Sequence, residues 1–230
     1  MPTIFLLHGA LGDSYQYESL AHLLSPEHDV HRFNFSGHGG QPFVAKFSIA
    51  QFADEFIRQI EFLPGDKQPV SVFGYSMGGY VALHAAIQRP ELFHRIITHA
   101  TKWFWDEPTA AAACTMLDVE KIQTKLPSFA LQLANRHAPN DWKELLHKTS
   151  DMLTAMGQRP PIDVVTAASL PVACLLLAGD RDKTVTVEET LAVLRQWPNA
   201  SLGVLPGTTH PVETADTTLL AKLITAFICK

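Results

Sequence analysis

Cysteine is scarce in this 230-residue chain: Cys114, Cys174 and Cys229 are odd in number, far apart and show no Cys-x-x-Cys spacing. That excludes a disulfide framework and a zinc-ribbon site, and it favours a reducing cytoplasm as the location. Basic runs are also missing. The 18 basic and 23 acidic residues leave a net charge of −5, and no Lys/Arg-rich helix could follow a phosphate backbone, so nucleic acid is not an expected partner. Nothing approaches the roughly 20 apolar residues that a membrane helix needs, so no membrane partner is expected either. The opening MPTIFLLHGALG is apolar only from Ile4 to Leu7, with no basic residue before it and no small-residue cleavage site after it. It reads as a buried strand of the mature protein rather than a signal peptide. No His-Glu-x-x-His or comparable spacing marks a metal site, and no cofactor motif is present.

What the chain does contain is alternation. Short apolar runs bounded by turn residues alternate with longer stretches of helical period, the pattern of strand–helix–strand crossovers and a mainly parallel sheet. Strands are predicted near 3–7, 29–34, 70–75, 95–100, 172–178 and 201–205, which gives a small sheet of about six. Helices are predicted over 17–24, 49–62, 80–88, 187–197 and 217–228, the last capped by Asp216. The length suits one core. Between 102 and 169 no strand intervenes, and Pro108, Pro127, Pro139 and Pro160-Pro161 mark off several helices. The expected organisation is therefore a core over 1–101 and 170–230 with an inserted helical cap over 102–169. Its longest helix is predicted to run from an Asn140 cap to Gly157, with Trp142, Leu145, Leu146, Met152, Leu153 and Met156 on one face.

One segment carries chemistry. Gly74-Tyr75-Ser76-Met77-Gly78 matches G-x-S-x-G, in which a strand turns so sharply into a helix that the serine projects above the sheet. The flanks agree, since Val70 to Phe73 is strand-like and Tyr80 to Ala86 helix-like. Glycine-rich strand–helix turns also bind phosphates. A serine at the centre instead points to a nucleophile, with the helix N-terminus adding partial positive charge where an oxyanion would form.

With His8-Gly9 after the first strand, Gly37-His38-Gly39 after the second, the serine turn, an acidic loop and a late histidine, the chain resembles the α/β-hydrolase fold superfamily. The likeness is to small esterases, cofactor-free haloperoxidases and carbon–carbon bond hydrolases. It implies an α/β-hydrolase fold whose first two strands are absent, and a triad in the order Ser, Asp or Glu, His. Departures are Asn34 and Gln41, where the family often has an acid and a serine around the second glycine motif.

A serine hydroxyl needs a base, and the base needs an orienting group. His210 is the only histidine after the acidic loop Gly179-Asp180-Arg181-Asp182 and so keeps the order. Chemistry alone leaves both Asp180 and Asp182 open. The family's G-x-x-D pattern selects Asp182, with Asp180 as a turn residue. The resemblance also assigns the oxyanion-binding amides to Met77, after the nucleophile, and to Ala10, in the family's His-Gly-x motif. His8 is expected to support that loop through hydrogen bonds. His84 and His99 read as hydrogen-bonded buried histidines, and His137 as a surface or packing position. His99 and Trp103 are carried as candidate pocket residues.

The implied function is a serine hydrolase, foremost a carboxylesterase, cleaving a small to medium apolar or aromatic ester without a cofactor. Two alternatives stay open. One is a lyase resembling the succinyl-cyclohexadiene carboxylate synthase of menaquinone synthesis, although Tyr80 stands where that family's serine motif continues into a basic residue, and the cap offers little replacement beyond Arg136 and Arg159. The other is a ligand-binding receptor built on a hydrolase fold. Fold and triad fix machinery, not substrate.

Overall fold

The computed structural model describes residues 1–229. Six strands, β1 (Thr3–Leu7), β2 (Asp29–Phe33), β3 (Val70–Tyr75), β4 (Phe93–His99), β5 (Ala173–Gly179) and β6 (Ala200–Leu205), form one sheet in the order β2-β1-β3-β4-β5-β6. Every neighbouring pair is parallel. Parallel strands need helical crossovers and are covered on both faces, which is why their sequences read as continuous apolar runs. Alternate residues feed two cores. Phe5, Leu7, Val70, Val72, Ile96 and Leu176 face one cluster, while Ile4, Leu6, Phe73, Ile97, Leu175 and Leu177 face the other.

The second cluster is closed by α1 (Glu18–Leu24), through Leu20 and Leu24, and by the C-terminal helix, through Leu220, Ile224 and Phe227. The first is closed by α2 (Ile49–Glu61) and α3 (Met77–Gln88). In α2 the buried residues Ile49, Phe52, Ala53, Phe56, Ile57 and Ile60 recur at helical spacing, and the Ser48 side chain accepts from Gln51 N–H to start it. Truncating Phe56, fully buried at its centre, would cost about 3–5 kcal/mol.

Between β4 and β5 lie α4 (Glu107–Cys114), α5 (Val119–Lys125), α6 (Pro127–His137), α7 (Trp142–Gln158) and α8 (Val164–Ala168). Two expectations here are corrected. Asp141, not Asn140, caps α7, accepting from Lys143 N–H at 2.9 Å. The Asn140 amide instead donates to the carbonyls of Gly37 and Gln41. Gly157 does not end α7 but lies inside it, where a Cβ would collide with Ala110 of α4 and the carbonyl of its cap residue Asp106. The chain closes with α9 (Val187–Leu194), shorter than the 187–197 expected, and α10 (Thr217–Ile228), capped by Asp216. Among the described residues no helix is long and apolar enough to cross a membrane.

Candidate active site

The carboxyl ends of β1, β3, β4, β5 and the loop after β6 meet at one edge of the sheet, where open α/β sheets place their sites. At the end of β3 the chain turns on Ser76, whose φ of 51° and ψ of −115° lie outside the regions open to ordinary residues. Such a backbone costs about 1–3 kcal/mol and persists only where its surroundings impose it. They do so here. Ser76 N–H donates to the His99 carbonyl at 2.8 Å, and the Thr101 hydroxyl donates to the Ser76 carbonyl at 3.2 Å. Gly78 lies against the Leu7 and His8 carbonyls and Gly74 against the Gly79 amide, so a Cβ at either position would collide with main chain. The helix begins at Met77, directly after the serine, rather than at Tyr80.

His210 follows β6, in a loop laced to the one after β5. Thr208 N–H donates to Asp180 Oδ1 at 3.2 Å, and Arg181 N–H donates to the Thr208 carbonyl at 3.0 Å. Asp180 thus braces the loop and pairs loosely with Arg181 at 3.8 Å. The carboxylate on the imidazole is that of Asp182, with Oδ2 at 2.8 Å from His210 Nδ1. Its Oδ1 accepts from Thr184 N–H at 2.7 Å and Val185 N–H at 2.9 Å. Burial pushes the Asp182 carboxyl up, but the bonds from His210, Val185 and Thr184 outweigh it and hold the group below the ordinary carboxylate range. An ionised Asp182 keeps the proton on Nδ1 and turns the Nε2 lone pair towards Ser76, whose Oγ lies 3.4 Å away. Such distances are common before substrate binds.

Met77 N–H opens α3 and so has no acceptor within the helix. Ala10 lies in the loop after β1, and both residues line the cavity that holds Ser76 and His210. That loop is tightly held. His8 Nε2 accepts from Phe35 N–H at 3.3 Å, so Nδ1 carries the proton and donates to the Gly9 carbonyl at 2.8 Å. Leu11 sits at φ 60°, and its carbonyl receives Arg136 Nη1 at 3.0 Å and His137 Nε2 at 3.1 Å, both from α6. His137 is fully buried and also accepts Gly39 N–H at Nδ1. It therefore ties α6 to two loops that are far apart in sequence, a role no local pattern announces.

The cavity has a volume of about 640 Å³. Ile49, Met116, Phe129, Met152, Leu153 and Met156 make much of its wall, with Trp105 and Tyr80. His99 and Trp103 are not on that wall. Trp103 is turned inward onto Trp197 at 5.9 Å, and Trp105 faces the cavity instead. His99 is buried beneath Tyr75, as a packing histidine would be, but neither ring nitrogen has a hydrogen-bond partner. Burial pushes it down to about 4, and the neighbouring His210 adds to this. A surface concavity of about 680 Å³ beside β2 holds none of these groups. Among the described residues no cluster of three or more His, Cys, Asp or Glu is arranged to hold a metal ion.

The sequence matches the alpha/beta hydrolase family over residues 4–222, and the chain belongs to that family. It is 33% identical to the pimeloyl-[acyl-carrier protein] methyl ester esterase of Neisseria meningitidis over 88 residues, which are 38% of this chain and only 32% of that one. To the esterase of the same description from Aeromonas hydrophila it is 24% identical over 232 residues, covering 91% of this chain and 88% of that one. Its fold is similar to that of MenH from S. aureus, with a TM-score of 0.79 at 20% identity over 99% of this chain and 93% of that one.

Proposed function

We propose that the protein is a serine carboxylesterase for small to medium apolar or aromatic esters. The observation that carries this reading is the continuous relay Asp182–His210–Ser76, set at a strained turn on the wall of an apolar cavity. Ser76 Oγ attacks the ester carbonyl while His210 Nε2 takes its proton. The carbonyl oxygen becomes an oxyanion facing the Ala10 and Met77 amides, each of which can lower the barrier by roughly 3 kcal/mol. The C–O bond to the alcohol breaks as His210 returns the proton to that oxygen, leaving an acyl group on Ser76. Water, deprotonated by the same imidazole, then releases the acid and restores Ser76. Residues 102–169 act as a cap, since α4, α6 and α7 supply much of the cavity wall.

The elimination reading needs cations for substrate carboxylates, and the cap arginines do not offer them. Arg136 is engaged by the Leu11 carbonyl and Asp13, and Arg159 is exposed and away from the cavity wall. A panel of p-nitrophenyl esters of rising acyl length, together with a methyl ester as named for the pimeloyl esterases, tests the reading. Saturable turnover with an optimum at intermediate acyl length is expected. A single stoichiometric burst without turnover would favour a receptor, and no reaction with any ester would end the proposal.

A further inference from the structure

Beside the serine turn, Lys102 is the one lysine or arginine on the cavity wall among the described residues, and that wall carries no aspartate or glutamate. Its ammonium is already spoken for. Nζ lies 2.6 Å from Glu189 Oε2 of α9 and 3.4 Å from the Thr184 carbonyl. The Glu189 side chain is only 11% exposed, and its other oxygen accepts Trp103 N–H at 2.8 Å and Phe104 N–H at 3.3 Å. Three donors on one largely buried carboxylate fix it in place, and Lys102 with it. A carboxylate on a bound acyl chain would meet methionine, leucine and phenylalanine side chains with no free counter-charge, an arrangement the loss of hydration strongly opposes.

Building on the esterase reading, we infer that Glu189 sets the charge selectivity of the site. By holding Lys102 it leaves the cavity without a free cation and restricts the substrate to esters whose acyl group is uncharged. Glu189→Gln keeps an acceptor for Trp103 N–H but withdraws the negative charge, which releases Lys102 towards an anionic acyl end.

The test compares p-nitrophenyl hexanoate with the mono-p-nitrophenyl ester of adipic acid, which has the same six-carbon acyl chain and a terminal carboxylate. The wild type should favour the neutral ester in kcat/KM by roughly a hundredfold or more. Glu189→Gln should raise the charged-to-neutral ratio about tenfold through better use of the charged ester, and Lys102→Met in the same chain should reverse that gain. Glu189→Ala, which withdraws the carboxylate altogether, is the second variant should the first not fold, and the same rise is expected. Equal use of the two esters by the wild type would overturn the inference. So would a ratio that Glu189→Gln leaves unmoved, one that rises only because the neutral ester is lost, or a gain that survives Lys102→Met. Titration of tryptophan fluorescence in a Ser76→Ala chain with methyl hexanoate and monomethyl adipate repeats the comparison without turnover, Trp105 being on the wall. A wild type that hydrolyses neither ester would sink the esterase reading, while the titration would still decide the charge selectivity.

Discussion

Lowering the pH from 7 to 5 should remove much of the stability of the fold, because four histidines are buried in states that cannot accept a proton. His8, His38, His99 and His137 are all fully buried. Burial pushes His8 down to about 3 and His99 and His137 to about 4, and it holds His38 well below its ordinary value. Geometry agrees with charge. His8 and His137 each accept a main-chain N–H on one ring nitrogen, bonds that protonation would abolish. The rings of His8 and His38 are 4.9 Å apart, and those of His38 and His137 5.8 Å.

In the unfolded chain each titrates near 6.5, so below that pH the unfolded state holds more protons and folding weakens as pH falls. Once the folded value lies well under 5, the loss at pH 5 is set by the unfolded value and is about 2 kcal/mol for each histidine. His8, His99 and His137 together give about 6 kcal/mol, and His38 acts in the same direction, a loss comparable with the whole stability of about 5–15 kcal/mol of an ordinary domain. Urea unfolding followed by circular dichroism at pH 7, 6 and 5 reads this directly. The slope between pH 6 and 5 should reach about three protons or more, and His137→Gln should reduce it by about one. A urea midpoint that stays flat from pH 7 to 5 would refute the reasoning.

Three further outcomes concern the site. Asp182→Asn should lower kcat by about 10⁴ because the wrong imidazole tautomer then faces Ser76, whereas Asp180→Asn should act mildly and through loop stability, as paired kinetics and melts would show. The reverse order would move the orienting role to Asp180. Arg136→Ala frees one of two bonds on the Leu11 carbonyl and should loosen the loop that carries the Ala10 amide. It should lower kcat about tenfold with KM little changed, and an alkyl boronate that mimics the tetrahedral state should bind more weakly by a similar factor. Purely structural damage would raise KM and lower the melting temperature without that match. Gly78→Ala should prevent the turn from closing, since its methyl would meet the Leu7 carbonyl, and should yield a protein that no longer reacts at Ser76.

Much of the scaffold was legible because buried parallel strands write themselves as apolar runs. FLL in β1, VFGY in β3 and CLLLAG in β5 stand out for this reason, and each boundary fell within a residue or two. The start of α3 did not, because Gly78 and Gly79 are poor helix formers and hid its first turn behind the geometry of Ser76. At α7 two adjacent polar residues could both serve as the cap, and only the bonds from Asn140 to the Gly37 and Gln41 carbonyls explain why Asp141 does.

Within the site, chain order and the G-x-x-D pattern brought Ser76, Asp182 and His210 to one place. Which aromatic faces the cavity was not readable, because the choice between Trp103 and Trp105 depends on Trp197, far along the chain. The same holds for Lys102 with Glu189 and for His137 with Leu11, pairs separated by 87 and 126 positions. Local propensity carries no signal over such distances.

If His210 activates the Ser76 hydroxyl, a small fluorophosphonate should react at that oxygen, as mass mapping of the adduct would show. One adduct per chain on Ser76, formed rapidly in the wild type and nearly abolished in His210→Ala, is the predicted result. An unlabelled chain, an adduct elsewhere, or equal labelling in the His210→Ala variant would contradict it.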